Sequence, residues 1–441
     1  MSVIAYIARM RLVAGASARA RKSMSDSNPS PHPGMGFGQF VALIAAMMAT
    51  NALAIDSMLP ALPNIGQALG VHDPNARQWV ITAYLLGFGV AQLAYGSLAD
   101  RYGRKPVLMV GLALYTVFAA LCAFSTSFEM LLVARFLTGL GAASTRVLSV
   151  SIVRDCYAGR QMARVMSLAF IVFLATPIIA PSLGMAIMMV ASWRWIFGVL
   201  SIFGLIVMAW AAIKLPETQH PEDRIPISVA GVSSAFRTAL TDRIAMGYTL
   251  AATLVLAGLF GFLNSAQQVF AEVLHAGDVF PLVFAAIAGT MAVSSLLNSR
   301  IVERLGMRKV SHWALIGFIV VAASHAVVAV TGHETLLTFG LMQAAMMFCF
   351  GLVMSNFGAI AMEPLGHVAG AAASIQGFIT TIGGAVFGFL IGQLYDGTTI
   401  PLTLGFTGFG LAGLLMVLAT EKGKLFQAGH PAQAAAGAGA H

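Results

Sequence analysis

The sequence predicts an all-α membrane protein, with twelve transmembrane helices in two six-helix halves. Three observations predict it. The chain holds twelve apolar runs long enough to cross a bilayer. Its basic residues gather on alternate loops. A charged loop pattern recurs 203 residues further on.

Composition sets the class. Of 441 residues, 58% are hydrophobic and 10% charged, where a soluble domain carries about 25% charged residues. So few charges do not cover a water-facing surface. The 45 glycines suit helices that approach closely in lipid. A net charge of +8 raises anionic lipid or nucleic acid as partners, but the loop distribution below assigns it to topology, and no nucleic-acid partner is expected. Cys122, Cys156 and Cys349 are scattered without metal-site or disulfide spacing, which predicts free thiols.

Residues 1–36 carry Arg9, Arg11, Arg19, Arg21 and Lys22, with no acid before Asp26 and a proline-rich stretch from Asn28 to Gly34. They read as a disordered cytoplasmic tail, with a true start at Met24 as the alternative. The runs fall at 37–62, 78–98, 106–125, 129–152, 164–190 and 193–213, then at 244–270, 279–300, 310–331, 335–361, 368–394 and 399–420. We number them as spans 1 to 12. The polar break at 214–243, with Pro216, Pro221 and Pro226, is the longest and reads as a cytoplasmic linker between halves 37–213 and 244–420. Residues 421–441 are Ala/Gly-rich and read as a second disordered tail.

Charge tests this map. Alternate loops and the tails hold 21 of the 25 basic residues, among them Arg101, Arg104, Lys105, Arg154, Arg160, Arg164, Arg304 and Arg308. The opposite loops hold only Arg77 and Arg194. The positive-inside rule then predicts both termini in the cytoplasm and an even number of spans. The repeat supports two halves. Asp100-Arg101-Tyr102-Gly103 follows span 2, and Glu303-Arg304-Leu305-Gly306 follows span 8.

Only one acid, Asp56, lies well inside a run. A charge within the bilayer costs ~3 kcal/mol or more and marks a functional site. Burial favours its neutral form and a neighbouring cation its charged form, so a carboxyl balanced between them can exchange a proton. The bland reading is a structural carboxylate at the break before Pro60 and Pro63. Arg135 and Arg146 lie within span 4, eleven residues apart, which places them within ~20° of one helix face and ~16 Å apart in height. Asp56 and Arg135 both fall in the outer half of the membrane, so the two can pair. Arg146 lies deeper, lining a cavity or snorkelling to the inner interface.

The second half offers neutral groups instead: Asn264, Gln267 and Gln268 in span 7, Asn356 in span 10 and Gln376 in span 11. These, with Tyr84, Arg146 and Met347, are the candidate substrate-cavity residues. His325 stands alone in span 9 and reads as structural. Span 5 contains Pro177, Pro181 and Gly184, a kinked and closely packed element suited either to gating or to a passive bend.

Together these stretches resemble the major facilitator superfamily, and within it the Bcr/CflA group of drug/proton antiporters. The resemblance spans about residues 37–420. Gly96-Ser-Leu-Ala-Asp100-Arg101-Tyr-Gly103-Arg104-Lys105 is similar to the superfamily's loop motif, whose charges imply a conformational switch. Asp56-Ser-Met-Leu-Pro60 and Arg135-Phe-Leu-Thr-Gly139 resemble the group's span 1 and span 4 motifs, implying proton coupling at Asp56 and Arg135. Ala180-Pro181-Ser-Leu-Gly184 resembles the antiporter motif, although Met185 replaces its second glycine. Met307 interrupts the second-half loop motif.

The resemblance implies a proton-coupled exporter of small amphipathic molecules in the bacterial inner membrane, a monomer with no cofactor and no metal. Its partners are a small-molecule substrate, protons and the lipid bilayer. A dedicated transporter of one metabolite, an anionic one included, keeps the same fold with Arg146 as the ligand group. A membrane enzyme or sensor would need a nucleophile-base pair, a metal cluster or a soluble domain, and the sequence offers none.

Overall fold

The computed structural model describes residues 35–157, 159–219, 222, 224 and 236–426. Twelve helices in it are long and apolar enough to cross a membrane. They are α1 (Phe37–Asp56), α2 (Trp79–Tyr102), α3 (Arg104–Ala123), α4 (Phe128–Cys156), α5 (Gly159–Val190), α6 (Arg194–Lys214), α7 (Arg243–Gln268), α8 (Phe280–Leu305), α9 (Met307–Val330), α10 (Leu336–Met362), α11 (Ala369–Gln393) and α12 (Ile400–Thr420). The protein is a multi-pass membrane protein. Most of the expected first tail lies outside the described residues, as do 225–235 of the expected linker.

Local chemistry sets the ends. Ser127 and Thr335 cap α4 and α10, each side chain accepting a backbone N–H three residues on, and Asp242 caps α7 in the same way. Gly103 and Gly306 alone join α2 to α3 and α8 to α9, at φ of 102° and 82°, a region that glycine reaches without strain. The helices overrun their apolar runs at the ends bearing the basic loops, hereafter the basic end. There α4 continues to Cys156 and α8 to Leu305. Large apolar side chains such as Val117, Ile213, Leu341 and Leu415 are exposed on the outside, as a lipid-facing surface requires.

The first six helices pack mainly on one another, as do the last six. Two helix pairs join the sets, α2 with α11 and α5 with α8. One boundary differs from expectation. Glu421 to Phe426 fold back on α9 instead of beginning a free tail: the Phe426 N–H donates to His312 Nδ1 at 3.1 Å, and its ring stacks on Trp313. The rest of the expected tail lies outside the described residues.

Candidate functional site

Arg135 is the eighth residue of α4 and is fully buried. Glycine makes its surroundings. A Cβ on Gly139 would meet the Tyr84 carbonyl, and one on Gly87 the Phe136 carbonyl, so only glycine lets α2 and α4 cross this closely. The crossing brings α2 onto the guanidinium. Arg135 Nε donates to the Val80 carbonyl at 3.0 Å. The guanidinium carbon lies 4.5 Å from the Tyr84 ring centroid and 5.7 Å from that of Phe197. Its two terminal nitrogens bond to nothing among the described residues. Ring faces offset part of the cost of burying this cation, and four N–H donors remain unmatched.

Asp56 ends α1 and is 5% exposed. Among the described residues its carboxyl makes no hydrogen bond and no ion pair. The structure therefore does not pair Asp56 with Arg135 in this conformation. Tyr84 stands within electrostatic reach of both, its ring on Arg135 and its hydroxyl donating to Asn51 Oδ1 of α1 at 2.7 Å. Just past Asp56, α5 arrives: a Cβ on Gly184 would meet the Ser57 carbonyl and Pro60. The span 1 motif and the span 5 motif thus meet at one crossing. Although Pro177 and Pro181 lie inside it, α5 runs as one helix, with Pro181 buried and Pro177 half-buried.

At the end opposite the basic loops a polar seam joins the two sets of helices. Gln78 Nε2 donates to Gln268 Oε1 at 2.8 Å and to the Gly392 carbonyl at 2.9 Å, while Gln393 Nε2 donates to Gln78 Oε1 at 3.2 Å. Gln268 also donates to Asn75 Oδ1, and Thr82 Oγ1 donates to Asn264 Oδ1 at 3.4 Å. Gln267 is buried beside them. Between described residues, the other hydrogen bond joining the sets near mid-membrane is Gln92 Nε2 to Thr381 Oγ1, at 3.0 Å. This end is closed.

The expected cavity residues therefore separate. Arg146 is exposed, although Arg135, Gly139 and Ala142 on the same face of α4 are buried. Tyr84, Asn264 and Gln268 face the buried contacts above. Met347 is packed in the core. Asn356 donates to Asn298 Oδ1 of α8 at 2.8 Å, and Gln376 reaches the Gly358 carbonyl of α10 at 3.5 Å, so both bond within the second set.

A charge network ties the basic end of the first set. Arg104 Nη1 bonds Asp100 Oδ1 at 2.5 Å and its Nε bonds Asp155 Oδ2 at 3.0 Å. The backbone N–H groups of Arg104 and Lys105 donate to the Glu217 carboxylate, and Lys105 Nζ donates to the Ala212 carbonyl. Gly103 makes room, since a Cβ there would meet that carboxylate. Gly96 faces Ser374 of α11. Arg101 is exposed and lies on the Tyr102 ring, outside the network. The second set has a counterpart despite Met307. Arg308 bonds Glu363 at 3.1 Å and Glu421 at 2.8 Å, and Tyr248 donates to Glu421.

Sequence reading missed several groups. Glu217, Glu363 and Glu421 looked like loop or tail acids, although Glu217 and Glu421 each follow the last helix of their set and Glu363 follows α10. His325 is not alone: its Nε2 lies 2.5 Å from Glu334 Oε1, and Thr399 bonds the same carboxylate. Glu334 sits in a loop by sequence, and only the tertiary fold carries it inward. Gln343 was also passed over, and it is fully buried with neither amide atom bonded among the described residues.

Comparisons with known proteins agree with this architecture. The sequence profile of the Major Facilitator Superfamily matches residues 37–388. The chain is 30% identical over 369 residues to the Bacillus subtilis protein named "Uncharacterized MFS-type transporter YdgK", covering 82% of this chain and 90% of that one. It is 28% identical over 373 residues to a "Bicyclomycin resistance protein homolog" of Haemophilus influenzae, covering 82% and 91%. It is 26% identical over 390 residues to the "Multidrug resistance protein MdtL" of Shigella dysenteriae, covering 88% and 96%. The human organic anion transporter MFSD10 (TETRAN) shares its fold, with a TM-score of 0.64 at 17% identity, covering 86% of this chain and 98% of that one.

Proposed function

The chain belongs to the Major Facilitator Superfamily, and from that premise we propose that it is a proton-coupled antiporter. It exports small amphipathic molecules, drugs among them, across the bacterial inner membrane by alternating access. It acts as a monomer, with the basic loops in the cytoplasm. Asp56 and Arg135 carry the reading: a buried acid and a buried cation from adjoining helices, each left uncompensated in this conformation. Relatives named for bicyclomycin and multidrug resistance support drugs as cargo.

In this reading the hydrogen-bonded seam is the outer gate in its closed state, the open side faces the cytoplasm, and Arg146, which is exposed, lines the cavity. An unpaired carboxyl in such surroundings costs least with its proton on. Loss of that proton to the cytoplasm leaves a carboxylate with Arg135 as its available countercharge. Cargo entering past Arg146 and the Asp56–Arg135 attraction then favour the outward-open state together. A proton from outside neutralises Asp56, frees Arg135 to its rings and favours return. Differences of a few kcal/mol between states suffice to shift such populations.

Purified protein in vesicles under an imposed pH gradient tests this. Asp56→Asn should abolish gradient-driven efflux while leaving substrate counterflow, which needs no gradient. Gradient-driven efflux at the wild-type rate in that variant would remove Asp56 from the coupling.

A further inference from the structure

Gln343 is 0% exposed, and among the described residues neither its Oε1 nor its Nε2 meets a hydrogen-bond partner. A primary amide buried unbonded in a membrane protein is costly unless something satisfies it in another state. Its place in the fold says what does. The N-cap of α10, Thr335, follows the N-cap of α4, Ser127, by 208 residues. The same spacing carries Arg135 onto Gln343, so each is the eighth residue of its helix. It also carries Asp56-Ser57 of α1 onto Asn264-Ser265 of α7. The serines match in detail. Ser57 Oγ donates to the carbonyl of Leu53, and Ser265 Oγ to that of Gly261, each four residues back. As α1 packs on α4, so α7 packs on α10.

The second half therefore repeats the acid and the cation as two neutral amides. We infer that Asn264 and Gln343 are an uncharged counterpart of Asp56 and Arg135, hydrogen-bonding to each other in the outward-open state. This rests on the alternating-access reading above. Here the outer end is closed, and Asn264 Oδ1 is occupied by Thr82 of α2 across the seam. Opening that seam breaks the Thr82 bond and frees Asn264. Gln343, unbonded until then, takes it. The two halves then move alike: in each, the residue in the last turns of α1 or α7 leaves its closed-state surroundings for the residue one-third along α4 or α10. Only the first half titrates. The second-half pair positions helices for the same transition without a proton.

The test uses spin-label distances between His72→Cys and His333→Cys, on the outer loops of the two halves, in a chain with Cys122, Cys156 and Cys349 replaced by serine or alanine. Gln343→Leu fills the same apolar surroundings without a polar group. The ratio of outward-open to closed protein should fall about tenfold, the loss of one buried hydrogen bond, and by the same factor at every pH. Asp56→Asn should instead remove the pH dependence of that ratio. Gln343→Glu, a near-isosteric second variant, should add a pH-dependent step to the opening. If wild-type protein opens and Gln343→Leu opens equally, the amide pair is overturned and alternating access stands. If wild-type protein shows no outward-open population with substrate at any pH, the alternating-access reading fails and takes the pair with it.

Discussion

At the scale of single residues, Arg135 depends on shape as much as on charge. Its guanidinium is a flat plate between the Tyr84 and Phe197 rings, anchored by one bond to the Val80 carbonyl. A lysine ammonium keeps the charge but is a compact point that does not stack on two rings or donate in a fixed plane. On the proposed mechanism, the terminal nitrogens unbonded here become donors to the Asp56 carboxylate in the outward-open state. Arg135→Lys should therefore lower gradient-driven efflux by about tenfold, the worth of a desolvated cation–π contact of ~1–2 kcal/mol, while substrate affinity changes little. Initial rates across a substrate series separate the two parameters. Wild-type rates would mean that charge alone serves. Arg135 and Asp56 were legible in the sequence because intramembrane charges are rare and each demands an explanation. Gln343 was not, because one glutamine in an apolar run looks like any tolerated polar residue until the repeat sets it opposite Arg135.

At the scale of elements, helix ends at the basic side are tied by two networks built on one plan. In the first, Arg104 joins the ends of α2 and α4, and Glu217 after α6 receives the start of α3. In the second, Arg308 joins the end of α10 to Glu421 just after α12, and Tyr248 of α7 donates to Glu421. Asp100 to Lys105 were legible as a motif. The second network was not, because Arg308 and its acids are spread over more than a hundred residues and only the fold collects them. Burial pushes the Glu421 carboxyl up, yet the Arg308 guanidinium and the Tyr248 hydroxyl outweigh it and hold it below the usual carboxylate range. A carboxyl held low in the folded protein contributes stability above its ordinary range, and that contribution is lost as pH falls through the folded value. Glu421→Gln should lower the melting temperature of detergent-purified protein by roughly 2 °C near neutral pH. The difference from wild type should narrow as pH falls below the ordinary carboxylate range. A gap that stays constant with pH would assign the effect to shape and not to charge.

At the scale of the whole molecule, the alternating-access proposal makes function a balance between two ends of the bundle. The twelve spans and the charge asymmetry of the loops were legible because hydropathy and loop charge are properties of short segments. The closed seam was not. Asn75, Gln78, Gln268 and Gln393 each sit at a helix end, where a polar residue ordinarily faces water, and only assembly turns them toward one another. Gln78 is the hub of that seam, 1% exposed, with bonds to Gln268, Gly392 and Gln393. Replacing it with leucine removes these bonds and leaves Gln268 and the Gly392 carbonyl to seek water, which the closed state excludes and the open state supplies. At ~1 kcal/mol for each net hydrogen bond, Gln78→Leu should shift the equilibrium by roughly 2–3 kcal/mol, or about 30–150-fold, toward the outward-open form. The protein should then bind substrate from outside more readily and export it more slowly, since return to the cytoplasm-open state becomes the slow step. Spin-label distances across the outer loops read the population directly, and efflux rates in vesicles read its consequence. An unchanged distance distribution would mean that the apolar contacts of α2 with α11 hold the end shut on their own, and the polar seam would lose its place as the outer gate.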